Sequence, residues 1–155
     1  MEIEIPGRGK LSLKHLVLDF TGTLSVDGAL ITGVFERLQE LARHMTIHVL
    51  TADTFGRAAE ELRGLPLEVT ILKNAAEDRS KEEFINALGP DQVMAMGNGE
   101  NDALMLRRAS LGVAIIEAEG CSVQALLHAD LVVKSITDGL DLLIKPLRIK
   151  AGLRR

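Results

Sequence analysis

Three short segments combine oxygen-bearing side chains with glycine, and each follows an apolar run. His15-Leu16-Val17-Leu18-Asp19-Phe20 passes into Thr21-Gly22-Thr23-Leu24, which places the Asp19 carboxylate where a buried strand would end. A carboxylate there has two chemical uses: attack on phosphorus as a nucleophile, or a share, with neighbouring oxygens, in holding Mg²⁺. Gly22 lets the backbone approach a phosphate, so that nearby amides can donate to its oxygens. An Asp in an ordinary strand-to-loop turn would look the same in isolation. Thr46-Ile47-His48-Val49-Leu50 passes into Thr51-Ala52-Asp53. A Thr51 hydroxyl beside a helix amino terminus is a good phosphate donor, although Thr51 could equally begin a turn with Asp53 capping the next helix. Gln92-Val93-Met94-Ala95-Met96 passes into Gly97-Asn98-Gly99-Glu100-Asn101-Asp102. A helix cap needs one Asx residue, and this segment carries three, which favours an anion- or cation-binding turn.

The elements that must position these segments alternate strand with helix. Glu2–Ile5 and Leu11–Leu13 alternate with period two around Pro6-Gly7-Arg8-Gly9 and predict a hairpin. Strands follow at 15–20, 46–50, 68–72, 92–96, 112–116 and 131–133. Between them, Ile31, Val34, Phe35, Leu38, Leu41 and Ala42 predict a helix ending near His44. Asp53-Thr54 offers an N-cap for a helix through Arg63, and Ser80 with Glu83 has the capping-box spacing for a helix to Leu88. Further helices are predicted at 101–108, 121–128 and 137–147. Such alternation implies right-handed βαβ units and an α/β fold: a three-layer, Rossmann-like, doubly wound and mostly parallel sheet. Ligands of such sheets bind at the carboxyl ends of the strands, at the topological switch point.

The 155 residues suit one domain spanning 1–155, and 46% hydrophobic with 26% charged residues is a globular balance. Trp and Tyr are absent, so the core must be aliphatic, with Met94, Met96 and Met105 as filler. A net charge of −4 argues against a general nucleic-acid binder. The basic group Arg148, Lys150, Arg154 and Arg155 reads as a flexible, solvated tail. Cys121 has no partner for a disulfide and reads as a small packed residue. His44 and His48 straddle a helix end and a strand, and His15 and His128 are dispersed, so a histidine metal site is not expected. No signal peptide and no apolar run near the roughly 18 residues of a membrane span are visible, so a cytoplasmic protein is expected.

Taken together, Asp19-Phe20-Thr21-Gly22-Thr23-Leu24, Leu50-Thr51-Ala52-Asp53 and Gly97-Asn98-Gly99-Glu100-Asn101-Asp102 resemble the first, second and fourth motifs of the haloacid-dehalogenase superfamily, in family order. The first has the form found in the phosphorylation domain of P-type ATPases. The resemblance implies a lysine ahead of the fourth strand, for which Lys81 is chosen over Lys73. It further implies Asp19 as nucleophile and Mg²⁺ ligand, the Thr21 carbonyl and Asn98 as further ligands, and Asp102 supporting the metal directly or through water. Thr21, Gly22, Thr51, Ala52, Lys81 and Asn101 would surround the phosphoryl group.

Two residues depart from the family pattern. Thr21 stands where ordinary phosphatases of the superfamily carry a second Asp as general acid and base, help that contributes roughly 10²–10⁴-fold. Asn98 replaces an Asp and removes one negative charge from the metal's ligands. No cap domain fits between the motifs, and capless members of the superfamily often take macromolecular substrates or oligomerise so that a neighbour covers the site. The expected function is therefore a slow Mg²⁺-dependent phosphatase acting on a small phosphorylated substrate, with a homo-oligomer left open. The alternative is a binding or regulatory protein that keeps the fold without efficient turnover. An accessory role to a membrane pump ranks last.

Overall fold

The computed structural model describes residues 1–53, 56–73 and 75–155. Alternating Ile and Glu produce the opening hairpin, in which β1 (Glu2–Ile5) pairs antiparallel with β2 (Gly9–Ser12), Ile3 and Ile5 facing inwards. The apolar run then forms β3 (His15–Asp19). The short flap expected after it is a miniature hairpin, β4 (Ser25–Val26) against β5 (Ala29–Leu30). The chain continues through α1 (Val34–Leu41), β6 (Thr46–Thr51), α2 (Arg57–Glu61), β7 (Glu68–Ile71), α3 (Glu77–Leu88) and β8 (Val93–Gly97). It ends with α4 (Ala103–Arg108), β9 (Leu111–Ile115), α5 (Val123–His128), β10 (Leu131–Val133), α6 (Ile136–Ile144) and α7 (Leu147–Leu153).

Six of these strands form one sheet in the order β10-β9-β8-β3-β6-β7, and every neighbouring pair is parallel. The chain fills one half outward from β3 to β7, then returns across the sheet and fills the other from β8 to β10. The direction of winding reverses between β3 and β8. That reversal is the switch point at which open α/β sheets bind their ligands. The expected α/β, doubly wound fold with its N-terminal hairpin is the one observed.

Period two divides the strand residues between two faces. Leu16, Leu18, Ile47, Val49, Met94 and Met96 pack towards α1, α2 and α6 in the larger core. Val17, Leu50, Val93 and Ala95 pack towards α3, α4 and α5 in the smaller one. Asp19 continues the alternation of Val17 and so faces the α3 side of the sheet. That parity decides which helix can reach it.

Several sequence expectations are corrected. α3 begins at Glu77, three residues before Ser80, whose hydroxyl donates back to the Ala76 carbonyl at 3.1 Å instead of capping the helix. Lys81 therefore lies in the second turn. α2 is shorter than expected; Asp53 Oδ2 accepts from the Ala58 amide at 2.7 Å, and Thr54 of the expected cap lies outside the described residues. The closing helix is two helices, because Pro146 lacks an N–H and disfavours helical geometry at Lys145, which leaves the α region at φ −124°, ψ 69°. The basic terminus is not a free tail: Arg148 and Lys150 belong to α7, Ile149 is buried, and the Arg155 amide donates to the Pro6 carbonyl at 3.1 Å. Nor are the histidines all dispersed, since His15 Nδ1 lies 3.3 Å from His48 Nε2. Among the described residues no helix is long and apolar enough to cross a membrane.

Candidate active site

The carboxyl ends of β3, β6 and β8 are adjacent, and they carry Asp19, Thr51 and the turn that begins with Asn98. A helix following a parallel strand runs back against it, so the first turns of α3 lie at this same end of the sheet. Lys81 and Ile85, four residues apart, share the helix face turned to the core, and Lys81 is completely buried. Its Nζ donates to Asp19 Oδ1 at 2.7 Å and to Asp102 Oδ1 at 2.6 Å. Lys73, the other lysine considered, is exposed.

Asp102 uses its second oxygen as well. Oδ2 accepts from the backbone amides of Asn98 at 3.0 Å and Gly99 at 2.8 Å, folding the turn after β8 around the carboxylate. Gly97 is obligatory here, because a Cβ at that position would collide with the Asp102 side chain. Asn98 is fixed at both ends of its amide: Oδ1 accepts from the Thr23 hydroxyl at 3.1 Å, and Nδ2 donates to the Gly120 carbonyl at 3.0 Å. Gly22 adopts φ +76° and lies against the same amide, leaving no room for a side chain. Thr51 is buried, and its hydroxyl oxygen accepts from the Asp53 amide at 3.1 Å. Asn101 donates through Nδ2 to Glu77 Oε2 at 2.8 Å.

One lysine between two buried carboxylates cannot neutralise both. Burial, then repulsion from Asp102, push the Asp19 carboxyl well above its usual range, while the charge of Lys81 and hydrogen bonds from Lys81 and Thr23 oppose the rise. Burial alone would lower the Lys81 pKa, but Asp19 and then Asp102 outweigh it and hold the ammonium above its ordinary value. The trio therefore relieves its excess negative charge by holding a proton on Asp19 up to about pH 7, at a place shielded from water.

Above it opens a cavity of about 980 Å³. Asp19, Thr21, Thr51, Ala52, Asn98 and Asn101 stand on its wall, and Lys81 and Asp102 lie behind that wall. Among the described residues no three His, Cys, Asp or Glu side chains converge as a metal-binding set. Counting carbonyl and amide oxygens as well, Asp19, Thr21 and Asn98 supply oxygen donors on one wall, the type that hard divalent cations take together with water. A cation beside Asp19 would take the place of the proton that the raised pKa holds there.

Sequence reasoning gave no role to Thr23, which is fully buried and tied to Asn98, although its hydroxyl stood in plain view within the first segment. It also passed over Glu77, Arg57, Asp27 and Glu119, all on the cavity wall. The Asp27 amide donates to Glu119 Oε1 at 2.8 Å and the Leu30 amide to Glu61 Oε2 at 2.8 Å, which tie the β4–β5 flap to the rim. These residues meet where two loops and the first turns of α2 and α3 come together, and no spacing in the chain announces it.

A family model described as haloacid dehalogenase-like hydrolase matches residues 77–140. An uncharacterized protein of Methanocaldococcus jannaschii is 46% identical over 63 residues, 41% of this chain and 68% of that one. The fold is similar to that of 3-deoxy-D-manno-octulosonate 8-phosphate phosphatase from Moraxella catarrhalis, solved with magnesium ion, phosphate ion and KDO. There the TM-score is 0.71 at 16% identity, covering 90% of each chain. It is also similar to the cobalt-bound deoxy-D-mannose-octulosonate 8-phosphate phosphatase of Haemophilus influenzae, with TM-score 0.70, 11% identity and 90% of each chain. The narrower likeness to P-type ATPases stays with the wording of residues 19–24. Motifs, sheet order and matched relatives agree, and the chain belongs to the haloacid dehalogenase-like hydrolase family.

Proposed function

We propose that the protein is a divalent-metal-dependent phosphatase that cleaves a small phosphate monoester through Asp19. The observation that carries this reading is the buried Lys81 ammonium held between Asp19 and Asp102 directly behind an open cavity. A lone carboxylate in a turn needs no such arrangement; a carboxylate that must receive a phosphoryl group beside a cation does. The solved relatives named above are phosphatases of a small phosphorylated sugar acid, and one of them holds magnesium and phosphate.

Asp19, the Thr21 carbonyl and Asn98 would hold the metal, which when bound supplies charge neutralisation at the phosphoryl oxygens. The remaining roles belong to the chain. An Asp19 oxygen attacks phosphorus and forms the O–P bond of an aspartyl-phosphate as the bond to the leaving oxygen breaks. Lys81 holds the attacking carboxylate in place and neutralises part of the charge that gathers there. Thr51 and Asn101 donate hydrogen bonds to the transferring group. Asp102 sets the position of Lys81 and of the Asn98–Gly99 backbone. Water then attacks phosphorus, and the bond from phosphorus to the Asp19 oxygen breaks. Inorganic phosphate leaves with the water's oxygen while the proton passes to the phosphate or to solvent, which restores the Asp19 carboxylate.

Thr21 is an exposed hydroxyl on the cavity wall where a second carboxylate would serve the leaving group, so that oxygen must take its proton from water. The reaction is accordingly slow and favours good leaving groups. The same observation favours a second reading, a binding or regulatory protein that takes up metal and phosphate without multiple turnover. An aryl phosphate with an activated leaving group, assayed with Mg²⁺, separates the two. Steady turnover abolished by Asp19→Asn supports the enzyme, and a rate indifferent to that substitution removes Asp19 from the chemistry.

A further inference from the structure

Among the described residues Arg57 is the one cationic side chain on the wall of the cavity, and the phosphatase chemistry above gives it no task. A volume of about 980 Å³ lies at the upper end of what a drug-sized ligand fills, so the space extends well past a single phosphoryl group. The rest of the wall is acidic, with Asp27, Asp53, Glu77 and Glu119. Yet none of the hydrogen bonds or ion pairs among the described residues involves the Arg57 guanidinium. Four of its acidic neighbours are engaged elsewhere: Glu119 by the Asp27 amide, Glu61 by the Leu30 amide, Glu77 by Asn101 and Asp53 by the Ala58 amide. The Asp27 and Glu60 carboxylates share a second cleft with Arg57 without an ion pair to it.

The guanidinium lies against the flap. A Cβ on Gly28 would lie 2.5 Å from Arg57 Nη1, and Gly28 has φ +80°, so the flap offers bare backbone for the side chain to lie along. The result is an exposed guanidinium on the rim of a carboxylate-rich space, with no hydrogen bond to any described residue. A planar fork of that kind matches a carboxylate in two-point fashion.

We propose that Arg57 determines substrate specificity by binding a second oxyanion, a carboxylate, on the leaving-group part of the substrate; the inference rests on the phosphatase reading of the same cavity. Without the guanidinium, Asp27, Glu77 and Glu119 repel such a group, and with it the carboxylated ester is selected over its neutral analogue. Lys81 cannot do this work because both of its near neighbours are carboxylates already.

Two phosphate esters of equal size test the assignment, 3-phosphoglycerate and glycerol 3-phosphate, which differ in a carboxylate against a hydroxymethyl group. With Mg²⁺ present, the ratio of their kcat/KM values falls about ten- to a hundredfold in Arg57→Gln, the loss expected for one charge-assisted hydrogen-bonded pair. The fall lies mainly in KM, and Arg57→Lys keeps part of the ratio. A ratio unchanged by Arg57→Gln, including an equal loss on both esters, makes Arg57 a brace for the flap and overturns the proposal. Calorimetric binding of the same two esters to the Asp19→Asn protein, with and without Arg57→Gln, needs no turnover. If the wild type hydrolyses neither these alkyl esters nor an activated aryl phosphate, the phosphatase reading fails, and this second measurement still decides the role of Arg57. A preference for 3-phosphoglycerate that Arg57→Gln erases sustains the role of Arg57, and equal or absent binding of the two refutes it.

Discussion

Lys81 Nζ and Asp102 Oδ1 lie 2.6 Å apart, both buried, and they come from an α-helix and a 3-10 turn 21 residues apart in the chain. The pair joins the helix that precedes β8 to the turn that follows it, so the site's charge balance and its backbone geometry depend on one another.

Lys81→Met keeps the length and apolar stem of the side chain and removes the ammonium. Asp19 and Asp102 are then left facing each other without a counter-charge. Breaking a buried ion pair from one side costs about 3–5 kcal/mol, and a denaturant titration should show a loss of that order. Hydrolysis of an aryl phosphate should vanish with it. Retention of wild-type stability would mean that the trio does not carry the charge balance described.

Thr21→Asp restores a group able to give and take a proton beside the leaving oxygen. If the missing acid–base group limits turnover, the rate on an alkyl phosphate should rise by roughly 10²–10⁴-fold, and that on an activated aryl phosphate by much less. A uniform change across leaving groups would point to altered metal binding instead, because the new carboxylate adjoins Asp19 and Asn98.

Gly22→Ala combines a left-handed φ of +76° with a methyl group pressed onto the Asn98 amide. The backbone alone costs about 1–2 kcal/mol, and moving Asn98 breaks its bonds with Thr23 and Gly120. Thermal melts should register the first effect, and a weaker Mg²⁺ affinity in titration the second. A stable variant with unaltered affinity would separate Asn98 from the metal.

Much of this architecture is legible in the chain because it follows from periodicity. The runs at 15–20, 46–50 and 92–96 announce buried parallel strands, and residues at or just after their ends line the cavity. Lys81 is chosen over Lys73 from its separation ahead of the fourth strand, and the structure adds the physical reason: Asp19 follows Val17 onto the α3 face, where Lys81 reaches it. Ser80 misleads because its hydroxyl can satisfy the Ala76 carbonyl within the helix as readily as it can cap one. Pro146 was visible and decisive, and apolar spacing across it conceals the break. Arg57, Asp27 and Glu119 share a wall only because the start of α2 and two loops meet there. Contacts of that kind have no period to read.

The smaller core contains a titratable group remote from the cavity chemistry. His48 is 4% exposed, lies against Phe84 and meets His15 through Nε2 at 3.3 Å. A Glu68 carboxylate oxygen is 3.1 Å from Nδ1 but out of line for a hydrogen bond, so that nitrogen has no partner. Burial lowers the His48 pKa below the ordinary histidine value of about 6.5; Glu68 works against the shift, and His15 adds to it. In the window between the folded value and 6.5 the unfolded chain binds the proton that the folded one refuses. Stability is therefore complete above 6.5, falls as pH drops through it, and levels off below the folded pKa. Denaturation midpoints measured from pH 8 to pH 5 should show this decline, and His48→Phe should remove most of it. An equal decline in that variant would assign the proton to another group.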